Sequence, residues 1–178
     1  MNRRSLLAGV PLLGALAGCS LFTSTTTNGV TTITMDVARA DTFAQALISG
    51  LSQLALLPMV PLPYQAAFTQ ISGMIATDIA AFDKASGGKV VLTFDSTSIP
   101  KGVESVISDA QSILTTIAAA LPQTALVGTV LQIVSAVKTI VLLLEAMVPP
   151  LVPASASRAM GAIPLMPVAD ALTVLGAR

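Results

Sequence analysis

The chain of 178 residues has no histidine, no tryptophan and a single cysteine, Cys19. Without histidine, a serine or threonine nucleophile has only lysine or a carboxylate as its base, and a zinc site of the cysteine and histidine type is excluded. One cysteine also excludes an intramolecular disulfide. These absences remove most enzyme chemistries, so we expect a non-catalytic protein with no cofactor and no metal site.

Charged residues are scarce as well, at 10% of the chain against the roughly 25% typical of soluble domains. Nine basic and nine acidic residues leave no net charge, so the sequence has no basic surface of the kind that binds nucleic acid. Hydrophobic residues, in contrast, make up 53% of the chain. This composition predicts a folded, strongly apolar protein and no nucleic-acid partner.

Residues 1–18 have the pattern of a secretory signal peptide. Arg3 and Arg4 form a short positive segment, residues 6–17 form an uncharged apolar run, and small residues follow. The run is too short and wrongly flanked for a membrane span of the mature protein. We therefore expect residues 1–18 to direct export and to be removed.

The end of this segment, Leu16-Ala17-Gly18-Cys19, resembles the lipobox of bacterial lipoprotein precursors. The resemblance implies cleavage between Gly18 and Cys19, attachment of diacylglycerol to the Cys19 sulfur, and acylation of the new amino terminus. Two or three acyl chains anchor a protein stably in a bilayer, whereas one does so only marginally. The alternative is an ordinary secretory signal that leaves Cys19 as a free thiol.

The route and destination of export follow from neighbouring residues. Residues 2–7, Asn-Arg-Arg-Ser-Leu-Leu, are similar to a twin-arginine export signal, and general secretory export is the alternative. Ser20 after the lipidated cysteine resembles the outer-membrane sorting class of lipoproteins. These resemblances predict a lipid-anchored protein of the bacterial envelope, facing the periplasm, with the outer membrane favoured over the inner. From Cys19 onward, seven basic and nine acidic residues give a net charge of −2, so the expected membrane contact is the acyl chain rather than anionic lipid.

The mature chain divides into three parts. Residues 19–34 are rich in serine and threonine, which predicts a tether. Residues 35–148 show helical spacing of apolar residues between proline and glycine stops, which predicts four helices. We place these helices at about 36–57 (or 41–57), 63–85, 100–121 and 123–147. Residues 149–178 form a proline-rich segment with a short final helix at 167–176.

These elements predict an all-α fold, an antiparallel bundle of about four helices. A small two-stranded β pair is a further expectation, because Val30–Met35 contains strand-forming residues and Lys89–Phe94 places Val90, Leu92 and Phe94 on one face. The fourth helix is apolar nearly all round, which is typical of a central position. It is interrupted only by a thin line of small and polar residues, Thr124, Gly128, Gln132, Ser135 and Thr139, and by Lys138 and Glu145. We expect the charged ends of Lys138 and Glu145 to reach water or to pair with a neighbouring helix. The alternative is a polar contact inside a membrane-embedded or oligomeric assembly.

Two groups of polar residues do not have the spacing that a phosphate-binding or carboxylate site requires. Ser86-Gly87-Gly88-Lys89 follows a helix and precedes a strand, which is the reverse of a phosphate-binding loop. The carboxylate pairs Asp78/Asp83 and Glu104/Asp109 are five residues apart, a spacing that turns their side chains away from one another on a helix. We therefore expect these four carboxylates to lie on solvated helix faces.

By elimination, we expect the protein to be a non-catalytic scaffold or accessory subunit that presents its helical surface to another envelope protein. This hypothesis predicts a close-packed core and an exposed apolar patch. A second hypothesis is a carrier for a lipid or another hydrophobic ligand, which predicts an internal cavity of a few hundred Å³. A third hypothesis is a membrane-inserting hairpin of the third and fourth helices about Pro122. In residues 126–144, the favourable insertion free energy of twelve Leu, Ile or Val residues roughly offsets the unfavourable free energy of inserting Lys138.

Overall fold

A computed structural model describes residues 22–27, 30–95, 98–146 and 163–177. Over these residues the chain is mostly helical and contains one small antiparallel sheet of three strands. Arg3, Arg4, Gly18 and Cys19 lie outside the described residues, so the export, cleavage and lipidation assigned to them stay predictions.

The sheet consists of β1 (Phe22–Thr27), β2 (Val30–Asp36) and β3 (Val91–Asp95), with β2 in the middle. The expected pairing of residues 30–35 with residues 89–94 is confirmed, with Met35 opposite Leu92. The sheet has a third strand, β1, so the all-α fold with one β pair is only partly right. Residues 22–27, which we assigned to the tether, form strand β1, because β-branched threonines suit a strand and β2 supplies β1 with a backbone partner.

The sheet covers one end of the helices. Ile33 and Met35 of β2 are each 2% exposed, and Met35 belongs to the core that the helices form, whereas the alternating residue Thr34 bonds across the sheet to Thr93. Leu92 of β3 also packs against the core. Val90, which we placed on the same face, is 72% exposed, because the strand begins only at the next residue.

Five α-helices fall within the described residues, four of them long. Their bounds are α1 (Val37–Ala55), α2 (Leu62–Ser86), α3 (Lys101–Ala120), α4 (Gly128–Ala146) and α5 (Val168–Val174). The predicted helices are confirmed to within a few residues, except that α4 begins five residues later than expected. A short 3-10 turn occupies Gln123–Ala125, and Gly128 has a φ of +54°, so the helix cannot continue back through it.

The helix ends have local causes. The Asp36 side chain accepts a hydrogen bond from the backbone N–H of Arg39 at 3.0 Å and so caps the start of α1. Gly87 ends α2 with a φ of +62°, a left-handed conformation that glycine adopts without a steric cost. These are the capping and stop signals that the sequence shows at both positions.

Consecutive long helices run in opposite directions. The backbone N–H of Val37, at the start of α1, donates to the carbonyl oxygen of Val90, just after α2, at 3.0 Å. Phe82 near the end of α2, Val103 near the start of α3 and Leu144 near the end of α4 line one small space. We name this end of the molecule, which the sheet covers, the sheet end. The connections 56–61 and 121–127 lie together at the opposite end, the distal end.

The long helices pack as a closed ring in which α1 contacts α2 and α4, and α3 contacts the same two helices. α5 packs against α4. Most of the core is Leu, Ile, Val and Ala, with Phe68 as the largest fully buried side chain. The predicted apolar core is confirmed, and α4 is the helix with the most buried residues among those described.

Candidate functional site

The polar line of α4 is a binding surface for the carboxyl-terminal segment of the chain itself. Ser135 Oγ donates to the carbonyl oxygen of Pro164 at 2.5 Å, and Lys138 Nζ donates to that of Ile163 at 2.7 Å. Thr139 Oγ1 accepts a hydrogen bond from the backbone N–H of Met166 at 3.2 Å. Three side chains on one helix face therefore bind backbone groups of Ile163, Pro164 and Met166. We name Ser135, Lys138 and Thr139 the α4 clamp.

The Lys138 ammonium group lies inside the molecule, and only 5% of the residue is exposed. Burial lowers the pKa of this amine below its ordinary value, because removal from water disfavours the charged form. We expected Lys138 and Glu145 either to reach water or to pair with a neighbouring helix. Lys138 is buried and bonds to the backbone of the carboxyl-terminal segment, which in the sequence is an irregular proline-rich stretch.

Glu145 is buried near the sheet end of α4, with 6% of its surface exposed. Its Oε1 atom has no hydrogen-bond partner among the described residues. Burial raises the pKa of this carboxyl. The expectation that Glu145 reaches water is therefore wrong.

A second buried carboxyl lies between α2 and α3. Asp109 is 8% exposed, and its Oδ2 atom has no hydrogen-bond partner among the described residues. Burial raises its pKa, and the negative charge of Asp78 on α2 raises it further. Our expectation that Asp109 is a solvated residue is wrong, because the packing of α3 against α2 buries it. The carboxylate that affects its pKa is Asp78 on α2 and not Glu104 on its own helix. No group of three or more acidic or thiol ligands occurs in the described part of the chain, so the geometry offers no metal centre there.

We expect Asp109→Asn to stabilise the protein at neutral pH. A carboxyl with a higher pKa in the folded chain than in the unfolded chain costs stability as the pH rises through the interval between the two values. That interval begins near the ordinary value of 3.8. A neutral amide avoids the cost, so the free energy of unfolding at pH 7 should rise by about 1 kcal/mol.

Urea denaturation at a series of pH values measures this difference. Asp83→Asn on the exposed face of α2 is the matched control and should change stability little. The gain from Asp109→Asn should shrink as the pH falls below the ordinary carboxyl pKa. An equal gain at every pH would show that ionisation of Asp109 is not the cause.

The described core leaves little internal space. The space at the sheet end, lined by Ala40, Phe82, Val103 and Leu144 among others, has a volume of about 20 Å³. This is room for about one water molecule. A larger apolar groove of about 280 Å³ lies beside α4 and the carboxyl-terminal segment, where Leu142, Leu143, Met166 and Val168 line it. The space at the sheet end is far smaller than the few hundred Å³ that a carrier requires, whereas the groove approaches that size.

The two most exposed of the large aliphatic side chains in the described residues, those of Leu56 and Leu62, lie at the distal end. Leu56 is 83% exposed, Leu62 78%, Val127 64% and Met59 50%. Three of them come from the connection between α1 and α2 or its edge, and Val127 comes from the connection between α3 and α4. The helix directions thus bring exposed aliphatic side chains from two separate stretches of sequence to the same end of the molecule.

Among the described helices, α4 alone has the length and apolar composition needed to cross a membrane. Of its most apolar 18-residue window, 67% is buried inside the protein. Central helices of soluble proteins have the same properties, so its composition does not distinguish a core helix from an inserted one.

Comparison with known proteins identifies no relative. No protein-family description, no curated protein and no solved structure matches this chain.

Proposed function

We propose that this protein is a bacterial envelope lipoprotein, held at the membrane by an acylated Cys19, that acts as a non-catalytic scaffold or accessory subunit. The observation that carries the proposal is the sequence Leu16-Ala17-Gly18-Cys19, which ends an export signal at the one cysteine of the chain. The outer membrane, facing the periplasm, is the proposed location. The four long helices form an antiparallel bundle in this proposal, which their contacts and short connections support.

The position at which β1 begins limits the distance between the folded domain and a bilayer that holds the Cys19 anchor. Two residues, 20 and 21, separate Cys19 from Phe22, and Phe22 pairs with Met35 directly before α1. Three residue steps span at most about 10 Å. An anchor on Cys19 would therefore hold the sheet end against the bilayer, and the distal end would lie at the far end of helices about 30–35 Å long.

Intact-mass measurement of the protein purified from membranes tests the anchor. We expect a chain that begins at Cys19 and carries the added mass of diacylglycerol and an amide-linked acyl group. Its single thiol should not react with maleimide. Cys19→Ser should leave the signal segment uncleaved at this site and the chain unacylated, whereas the matched variant Ser20→Ala should be processed normally. A purified chain with a reactive thiol and no added mass would overturn the proposal.

A second candidate function is a carrier for a small hydrophobic ligand. The groove of about 280 Å³ beside α4 favours it, because ligand sites are apolar clefts of about 300 Å³ or more. Native mass spectrometry of detergent-solubilised membranes separates the two functions. A protein partner in fixed ratio supports the scaffold, and a bound lipid that is lost in Leu143→Gln supports the carrier.

A further inference from the structure

The groove beside α4 has walls from two parts of the chain. One wall is the last two turns of α4, and the other is the carboxyl-terminal segment at residues 165–168. The walls meet at the α4 clamp, where the N–H of Met166 donates to Thr139 Oγ1 at 3.2 Å, and both of these residues line the groove. From Thr139 to Ala146 the groove follows about 10 Å of the helix. The hydrogen bond of the clamp therefore joins the two walls at one end of the groove.

The other end of the groove lies at the sheet end of the molecule. Ala146 is the last residue of α4 and is exposed. Leu144, two residues before it, lines the small space at the sheet end together with Met35 of β2. Phe22, where β1 begins, pairs with Met35. The groove therefore begins at the end of the fold that an acylated Cys19 would hold against the bilayer.

The lining residues favour an apolar occupant. None of the described lining residues is charged, and the one polar side chain among them is that of Thr139. Its hydroxyl is already bonded, since it donates to the carbonyl oxygen of Ser135 at 2.9 Å and accepts from Met166. A ligand with a polar group inside the groove would leave that group unpaired, at a large cost. Leu165 is 59% exposed, so a hydrocarbon chain in the groove would remove apolar surface from water.

We propose that the groove binds one acyl chain of a membrane phospholipid, which enters at the sheet end while the headgroup stays at the bilayer surface. The ligand of the carrier candidate is then this chain, and the direction of entry rests on the proposed Cys19 anchor. An acyl chain spans one leaflet, about 15 Å of a hydrocarbon core of roughly 30 Å. A groove of about 10 Å receives most of one such chain. Its volume of about 280 Å³ suits one chain better than a whole lipid.

The bilayer is the favoured source of the chain because of its concentration. An acyl chain on Cys19 would compete as a tethered ligand, and a short flexible linker gives an effective concentration in the millimolar range. Phospholipid chains at the surface of a bilayer are far more concentrated than that. The anchor would bring the open end of the groove to these chains, so membrane lipid should occupy it.

A phospholipid with a photoreactive diazirine at the end of one acyl chain tests this binding. The acylated full chain is reconstituted into phosphatidylcholine vesicles that contain the lipid, irradiated and digested with trypsin. Cleavage after Lys138 and Arg158 separates the groove walls, in peptides 139–158 and 159–178, from the distal connection in peptide 102–138. We expect adducts within residues 139–146 and 165–168 and a loss of adducts in peptide 102–138. Equal labelling of the three peptides, or none in the walls, overturns the proposal.

A substitution that fills the open end of the groove supplies the second arm. Ala146→Trp should reduce the adducts about tenfold or more, because the ring takes the space of the chain and overpacking is costly. Val127→Trp, at an exposed position of the distal end, is the matched control and should leave the adducts unchanged. Leu165→Gln, an exposed substitution in the opposite wall, should also reduce them. A surface that only attracts lipid would gain adducts from an added Trp, so unchanged or increased labelling in Ala146→Trp overturns the proposal.

Photocrosslinking from the groove in native membranes identifies its occupant. The photoreactive residue p-benzoylphenylalanine in place of Leu165 should form adducts with phospholipid. A cross-link instead to the acylated amino-terminal peptide, to residues 147–162, to a second copy of the chain or to another protein overturns the proposal. Intact mass of the same sample separates the two failures. A chain without acyl groups contradicts the anchor and the direction of entry with it, whereas an acylated chain without phospholipid adducts contradicts the lipid site alone.

Discussion

Replacing the three residues of the α4 clamp together, by Ser135→Ala, Lys138→Met and Thr139→Val, is expected to release the carboxyl-terminal segment from α4. The triple variant leaves the carbonyl oxygens of Ile163 and Pro164 and the N–H of Met166 without these partners. A buried polar group that loses its partner costs about 1–3 kcal/mol. Removal of the buried Lys138 charge offsets part of the loss. We therefore expect a net decrease of about 3 kcal/mol in the free energy of unfolding.

Urea denaturation gives the total change, and limited proteolysis with mass analysis of the fragments shows where the chain opens. Cleavage within residues 163–177 should begin well before the long helices are cut, since Ile163, Val168 and Leu175 would lose their packing. The control is Ser108→Ala, Ser112→Ala and Thr115→Val on the exposed face of α3, which should have little effect. Equal destabilisation in the control, or an intact carboxyl-terminal segment in the clamp variant, would contradict the role of the clamp.

Gly50→Ala is the second large effect that we expect, a destabilisation of about 1–3 kcal/mol. A Cβ atom at Gly50 would lie 2.8 Å from Leu175 Cδ2 and 2.8 Å from Val137 Cγ2, closer than carbon atoms approach. The extra methyl group would therefore displace the chain after α5, α4, or both. Thermal unfolding followed by circular dichroism measures the change.

Gly73→Ala is the matched control for Gly50→Ala, since Gly73 lies within α2 and a Cβ there would have no other atom within 4 Å. Alanine stabilises an exposed helix position by about 0.5–1 kcal/mol relative to glycine. The two variants should therefore change the melting temperature in opposite directions. A shared sign would show that helix propensity, and not the close approach at Gly50, decides the result.

The helices could be predicted because their signals are local. Asp36 as a cap, Pro58 and Pro122 as breaks, and Gly87 as a left-handed end act within one turn of the residues they affect. The pairing of β2 with β3 was also predictable, since both segments alternate apolar and polar residues. These features locate the long helices and the centre of the sheet without knowledge of distant contacts.

Apart from the pairing of β2 with β3, features that depend on contacts between distant residues were not predictable. The Ser/Thr-rich composition of Phe22–Thr27 suits a tether as well as an edge strand, and only its pairing with β2 decides between them. The spacing in the sequence relates Asp109 only to Glu104 on its own helix, whereas the carboxylate that raises the pKa of Asp109, Asp78, lies on α2. Lys138 binds a carbonyl 25 residues away in a stretch without regular periodicity. The joining of two connections into the distal end likewise requires knowledge of the helix directions.

The direct passage of β2 into α1, with no residue between them, has a consequence for the order in which the chain assembles. Met35 finds its partner Leu92 only after 56 intervening residues, nearly all of them within α1, α2 or the connection between them. Closing so long a loop in an unfolded chain carries a large entropic cost, which a preformed pair of adjacent helices removes by bringing the two strands together. We therefore expect α1 and α2 to associate early in folding and the strands to pair late. In a refolding experiment, the amide hydrogens of β3 should gain protection from exchange after those of α1.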